Sequence, residues 1–140
     1  MLKDCEPNEL EKIIKKNPLT QEAVKEIMQN KVGKIKLTKH LIKSSVYYNK
    51  ESGKYDIYFS EKEVKDENPE IPRISLIHRL EHIHCGISSV MHNETTIRKS
   101  MNMESIMDNA SHIFYGKNKE FIDKLYQEIY SKYLKQKIEK

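Results

Sequence analysis

Two histidines four positions apart on a helix lie about 40° apart in projection, so both imidazoles can reach a single ion. Four of the six histidines of the chain (His78, His82, His84 and His92) fall within fifteen consecutive positions, and His78 and His82 have that spacing. A hydrolytic zinc site needs a third protein ligand and an open fourth position. Glu104 is the first choice for the third ligand and Asp108 the second; His112 and His92 are more remote candidates. Glu81 lies between the two histidines and is the available carboxylate for taking a proton from bound water. Cys85 offers a softer ligand, but its position three residues past His82 reads better as a small buried thiol. Glu81 and His84 also form the Glu-x-x-His step of di-iron bundles, which supply that step from two helices; here it occurs once. The competing structural reading is that these histidines are partly buried polar groups satisfied by backbone or water.

The elements that must position these residues follow from periodicity. Asn8 to Glu11 has the spacing of a capping box, and Leu10, Ile13 and Ile14 form an apolar stripe that ends at Asn17-Pro18. A second helix is expected from Thr20, burying Ala23, Val24, Ile27 and Met28. From Lys34 the period changes to two. Ile35 and Leu37, then Val46 and Tyr48, then Tyr55, Ile57 and Phe59 alternate with polar neighbours, predicting a small antiparallel sheet with a hairpin at Gly53. The stretch from Thr38 to Lys43 fits strand or helix. Residues 60–70 are charged and end near Pro69 and Pro72, which reads as a surface loop with nothing to bury. A helix from about Ile74 to Ile87 would place Ile77, Leu80, His84, Ile87 and Met91 on an inward stripe, with His78, His82, Cys85 and Ser89 beside it. Two more helices are expected, from Met101 to Phe114 and from Lys119 to about Ile138. The fold class is α+β within one domain spanning 1–140: N-terminal helices in 1–33, the sheet in 34–60, and a helical part with the site in 73–140.

Arg73 to Ile83 read Arg-Ile-Ser-Leu-Ile-His-Arg-Leu-Glu-His-Ile. This segment resembles the motif helix of the ImmA/IrrE-type metallopeptidases that accompany phage and mobile-element regulators, typically Arg-Phe-Thr-Leu-Ala-His-Glu-Leu-Gly-His-Ile. The order of elements is similar too, and Met107 to Ser111 is a loose counterpart of the later acidic-ligand helix. The resemblance implies a zincin-like fold, zinc, and peptidase activity on a regulatory protein. It also carries a departure: the family's general base follows the first histidine, and here that residue is Arg79. The glutamate occurs instead as Glu81, giving His-x-x-Glu-His, the order of the inverzincins. With His78 at 0°, the two histidines have their midline near 20°, position 79 lies near 100° and position 81 near 300°, so the two placements flank a metal from opposite sides.

The formal charge of +4 in 140 residues comes from 25 basic residues of which only Arg73, Arg79 and Arg98 are arginine. A nucleic-acid reader would use more arginine for bidentate contacts, so the lysine excess is read as a solvated surface and nucleic acid as a poor partner. Two cysteines, Cys5 and Cys85, build neither a disulfide scaffold nor a four-thiolate zinc site. No apolar stretch reaches the length of a membrane span and no signal peptide is expected, which predicts a cytoplasmic protein. Two functions follow as expectations. One is a zinc-dependent peptidase with metal on His78, His82 and Glu104 or Asp108 and Glu81 as base. The other is a catalytically inactive pseudo-peptidase that binds a protein partner as a phage- or mobile-element-encoded inhibitor or regulator.

Overall fold

A computed structural model describes residues 7–86 and 94–139; Cys5, His92 and the expected stripe positions Ile87, Ser89 and Met91 lie outside the described residues. The chain is α+β. Helix α1 (Pro7–Lys16) begins one residue before Asn8, so Asn8 lies inside the first turn and not at the cap. Helix α2 (Gln21–Glu26) is capped as its sequence requires, the Thr20 hydroxyl accepting the Ala23 N–H at 3.1 Å. It runs directly into a π-helical turn, Ile27–Lys31, before the first strand.

Strands β1 (Val32–Thr38), β2 (Ser45–Asn49) and β3 (Lys54–Ser60) form a sheet in the order β1-β3-β2. The β2–β3 hairpin is antiparallel and turns at Gly53, whose φ of 70° is the left-handed conformation that glycine adopts without strain. β1, however, pairs in parallel with β3, so the sheet is mixed where the sequence led us to expect an antiparallel one. The reason is the connection through residues 39–44, which has no regular structure and crosses the end of the middle strand. Ser60 ties it down: its hydroxyl faces the carbonyls of Leu41 at 2.8 Å and Ile42 at 3.1 Å, and its N–H donates to Ser44 Oγ at 2.9 Å. Alternation along a strand reports which face is buried but not which neighbour pairs with it.

β1 carries an irregularity between Val32 and Ile35, where the pairing register shifts. Asp56 fills the space that this leaves. Its buried carboxylate accepts the Lys34 N–H at 2.9 Å and the Asn49 side-chain amide at 3.2 Å. A Cβ on Gly33 would stand 2.7 Å from Asp56 Oδ1. Gly33→Ala should therefore destabilise the protein by about 1–3 kcal/mol, the usual range for overpacking a tight interior. Urea unfolding checks this, and an unchanged midpoint would show that Asp56 moves aside freely.

Residues 60–70 are not simply loop. Ser60 caps a single helical turn, α3 (Glu61–Val64), and Val64 packs against the core. Helix α4 (Glu70–Cys85) then starts four residues earlier than the periodicity indicates, because Pro72 falls in the first turn, where no N–H partner is needed. Gly86 ends it with a φ of 74°. α4 is buried nearly all round, with Leu76, Ile77, Leu80 and Ile83 in the main core along with Ile57 and Phe59 of β3. The two-stripe reading of this helix is corrected accordingly: His78 and His82 are more deeply buried than His84. Helix α5 (Glu94–Lys117) is longer than expected. Helix α6 (Lys119–Ile129) continues through a π-helical turn, Tyr130–Leu134, into α7 (Lys135–Glu139). Ile122, Tyr126 and Ile129 of α6 join the main core; a smaller cluster of Leu10, Cys85 and Met107 joins α1, α4 and α5.

Candidate metal centre

α4 and α5 pack side by side, and this packing brings His78 and His82 of the first to Glu104 of the second. Glu104 presents one carboxylate oxygen to each histidine, Oε2 at 2.5 Å from His78 Nε2 and Oε1 at 2.8 Å from His82 Nε2. The two rings stack with centroids 5.1 Å apart and an interplanar angle of 22°. One ligand atom from each of the three residues lies within 4.8 Å of the others. Both histidines are buried, whereas the Glu104 side chain is 41% exposed, so the cluster is shielded from the α4 side and reached from α5.

The electrostatics suit a ligand set. Burial lowers the pKa of His82, and Arg79 and His78 push it down further, against the hydrogen bond and charge of Glu104. Burial raises the Glu104 carboxyl, but its contacts with His78 and His82 outweigh this and hold it well below the usual carboxylate range. Neutral imidazole and ionised carboxylate are the forms that bind metal. His78 Nε2 has Glu104 close by but no well-aligned hydrogen bond, as expected of a donor atom that faces a common centre. Zinc bonds of about 2.0–2.2 Å at tetrahedral angles would separate neighbouring ligand atoms by roughly 3.3 Å. The two contacts to Glu104 must therefore open by about half an ångström to an ångström, while any pair of ligand atoms as far apart as 4.8 Å must close by about 1.5 Å. Two imidazoles and one carboxylate suit zinc in hydrolytic sites and iron(II) in oxygenases, and do not suit the oxygen-seeking calcium or magnesium. A helical i, i+4 histidine pair can present both imidazoles to one ion.

Of the two candidates for third ligand, Glu104 faces both histidines. Asp108 lies one turn further on: its Oδ1 is 3.6 Å from the other nitrogen of His78, Nδ1, and its Oδ2 is 3.5 Å from His112 Nε2. That places its charge where it favours a proton on Nδ1 and frees Nε2 for a metal. Cys85 is a buried thiol in the small apolar cluster and forms no disulfide among the described residues.

The flanks of the helix differ sharply. Arg79 is buried, and its Nη1 donates a hydrogen bond to the backbone carbonyl of Ser44, just before β2. The same segment is held by Glu63, whose Oε1 accepts the Ser44 N–H at 2.7 Å and the Ser75 hydroxyl at 2.8 Å. Burial pushes the Arg79 guanidinium below its ordinary pKa, opposed by the charges of Glu104, Glu63 and Asp108. Glu81 is also buried, with an Oε1 that has no hydrogen-bond partner among the described residues. Burial raises its carboxyl to about 7. In projection Glu81 stands between Cys85, which packs on Leu10 and Met107, and His84, whose Nε2 lies 2.9 Å from the Asn17 carbonyl oxygen. Glu81 is thus on the flank that meets α1, and Arg79 on the flank that meets the sheet. Sequence reasoning did not find Ser44, Glu63 or Ser75; their link to Arg79 spans as many as 35 positions, and no local spacing signals it.

Comparisons with protein-family models, with curated proteins and with solved structures find no match to this chain.

Proposed function

We propose that this protein is a zinc-dependent peptidase acting on another protein. The observation that carries the proposal is the convergence of His78, His82 and Glu104, one ligand atom each within 4.8 Å. These three residues would hold the ion, which supplies a Lewis acid for the scissile carbonyl and for water. Asp108, whose Oδ1 lies 3.6 Å from His78 Nδ1, would orient that ring once the ion draws Nε2 toward Glu104. Glu81 is the group assigned the proton. The similarity of Arg73 to Ile83 to the ImmA/IrrE motif helix points to a regulatory protein as substrate, in a phage or mobile-element setting.

A second reading has its own observation. The base position of that motif is occupied by Arg79, fastened to Ser44, while Glu81 stands on the α1 flank. This favours a pseudo-peptidase that binds a protein partner without cutting it. Exposing a proteome-derived peptide library to zinc-loaded protein, with mass spectrometry of new termini, separates the two. Peptidase activity predicts termini that vanish with His82→Ala and fall by about 10²-fold or more with Glu81→Gln. Zinc-loaded protein that generates none would remove the peptidase reading and leave the binding one. Among the described residues no helix is long and apolar enough to cross a membrane.

A further inference from the structure

The two faces of the sheet differ. Val46, Tyr55, Ile57 and Phe59 belong to the main core with α4 and α6. Alternate residues of the same strands lie on the opposite face, where Tyr47 stands across from Asp56, Lys36 from Tyr58 and Asn49 from Lys54. Tyr47 is 44% exposed and Tyr58 half-buried, and their rings meet edge to face with centroids 5.8 Å apart. Lys36 and Lys54 are exposed, and neither forms an ion pair among the described residues. The acid of this face, Asp56, is buried, and its two oxygens accept the Lys34 N–H and the Asn49 amide. What the face offers a ligand is therefore aromatic surface flanked by unpaired positive charge.

We infer that this face binds single-stranded nucleic acid, with bases stacked on Tyr47 and Tyr58 and phosphates against Lys36 and Lys54. Neighbouring strands lie about 4.8 Å apart, so β1 and β2 are separated by roughly 10 Å across β3, the length of about three nucleotides. Stacking requires unpaired bases, which selects single strands over duplex. An acidic peptide would satisfy the lysines but leave the two rings without a partner. The few arginines of the chain weigh against readout of base edges, which this mode does not use: charge and stacking select neither base nor sugar. The face lies on the sheet, and its binding does not depend on the metal reading.

Fluorescence anisotropy of labelled oligothymidylate and oligouridylate, each of about twelve nucleotides, titrated with the full chain without added metal at low salt, tests this. Both strands should bind, with dissociation constants within about threefold of each other, and a duplex of the same length should bind at least about fivefold more weakly. Tyr47→Thr keeps a β-branched residue in the strand and should weaken strand binding by at least about fivefold, the loss of one stacked base. Lys36→Gln combined with Lys54→Gln, both at exposed positions, should reduce the slope of log affinity against log salt by about 1.4, two phosphate contacts at roughly 0.7 each. Failure of both strands to bind overturns the inference, as does a duplex that binds equally well. Strand binding that both variants leave unchanged would place the nucleic acid on other lysines and overturn it too. A glutamate peptide of equal charge that binds as tightly as the strands would make the face a dock for an acidic protein instead.

Discussion

Zinc added to metal-free protein should raise its thermal midpoint by on the order of 10 °C when free zinc exceeds the dissociation constant a hundredfold. Binding to the folded state alone contributes about 2.7 kcal/mol at that excess, and a domain of this size shifts by roughly 3–4 °C per kcal/mol. The rise should vanish in His78→Ala and His82→Ala and nearly vanish in Glu104→Gln, because two ligands do not hold the ion against water. Each variant is compared with itself with and without zinc, so any cavity left by a buried imidazole cancels. Asp108→Asn should keep the rise but need about 10- to 100-fold more zinc to reach it, the usual penalty for losing the group that orients a histidine ligand. A rise of the same size in all four variants would place the bound zinc elsewhere.

The second large effect concerns Glu81 and stability. Its carboxyl is buried, and burial raises the folded-state pKa from an ordinary 4.5 to about 7. Below about pH 4.5 folded and unfolded chains are both protonated there, and the group contributes nothing to pH dependence. Between the two values the unfolded chain releases its proton first, so stability falls as pH rises. Above about 7 the loss is complete, at about 3 kcal/mol for a shift of this size. Glu81→Gln removes the charge and keeps the shape. In metal-free protein it should be close to neutral at pH 4.5 and stabilising by about 3 kcal/mol at pH 8, read from urea unfolding. A stability difference independent of pH would mean that Glu81 reaches a partner or solvent in the folded protein.

Opposite outcomes in the two assays of Glu81→Gln, higher stability with lost cleavage, would identify a group kept for chemistry at the expense of folding. Higher stability with no cleavage in either protein fits the partner-binding reading.

The local elements were legible wherever one residue type settles the geometry. Thr20 caps α2 and Gly53 turns the hairpin. The pair His78 and His82 was legible from helical spacing, and Glu104 and Asp108 were candidates because they share a stripe on the next helix; only the packing of α4 on α5 sets Glu104 against both histidines. What local spacing does not carry is pairing across the chain. The parallel β1–β3 register depends on how residues 39–44 cross the end of β3, and that crossing is set by Ser60 and Glu63, far along the sequence. Likewise, Arg79 could be recognised as displaced from a motif, but its burial and its tether to Ser44 follow only from the assembled sheet. The near-complete burial of α4 also erased the amphipathic signal that would have separated its faces, which is why His84 was assigned inward ahead of its neighbours.

The central claim, that α4 and α5 form one metal site, is tested most directly by anomalous scattering at the zinc edge from crystals grown with equimolar zinc. The account predicts a single peak bonded to His78 Nε2, His82 Nε2 and a Glu104 oxygen, at about 2.0–2.2 Å from each. A peak confined to Asp108 and His112, or no peak while Glu104 still bridges the two histidines, would contradict it.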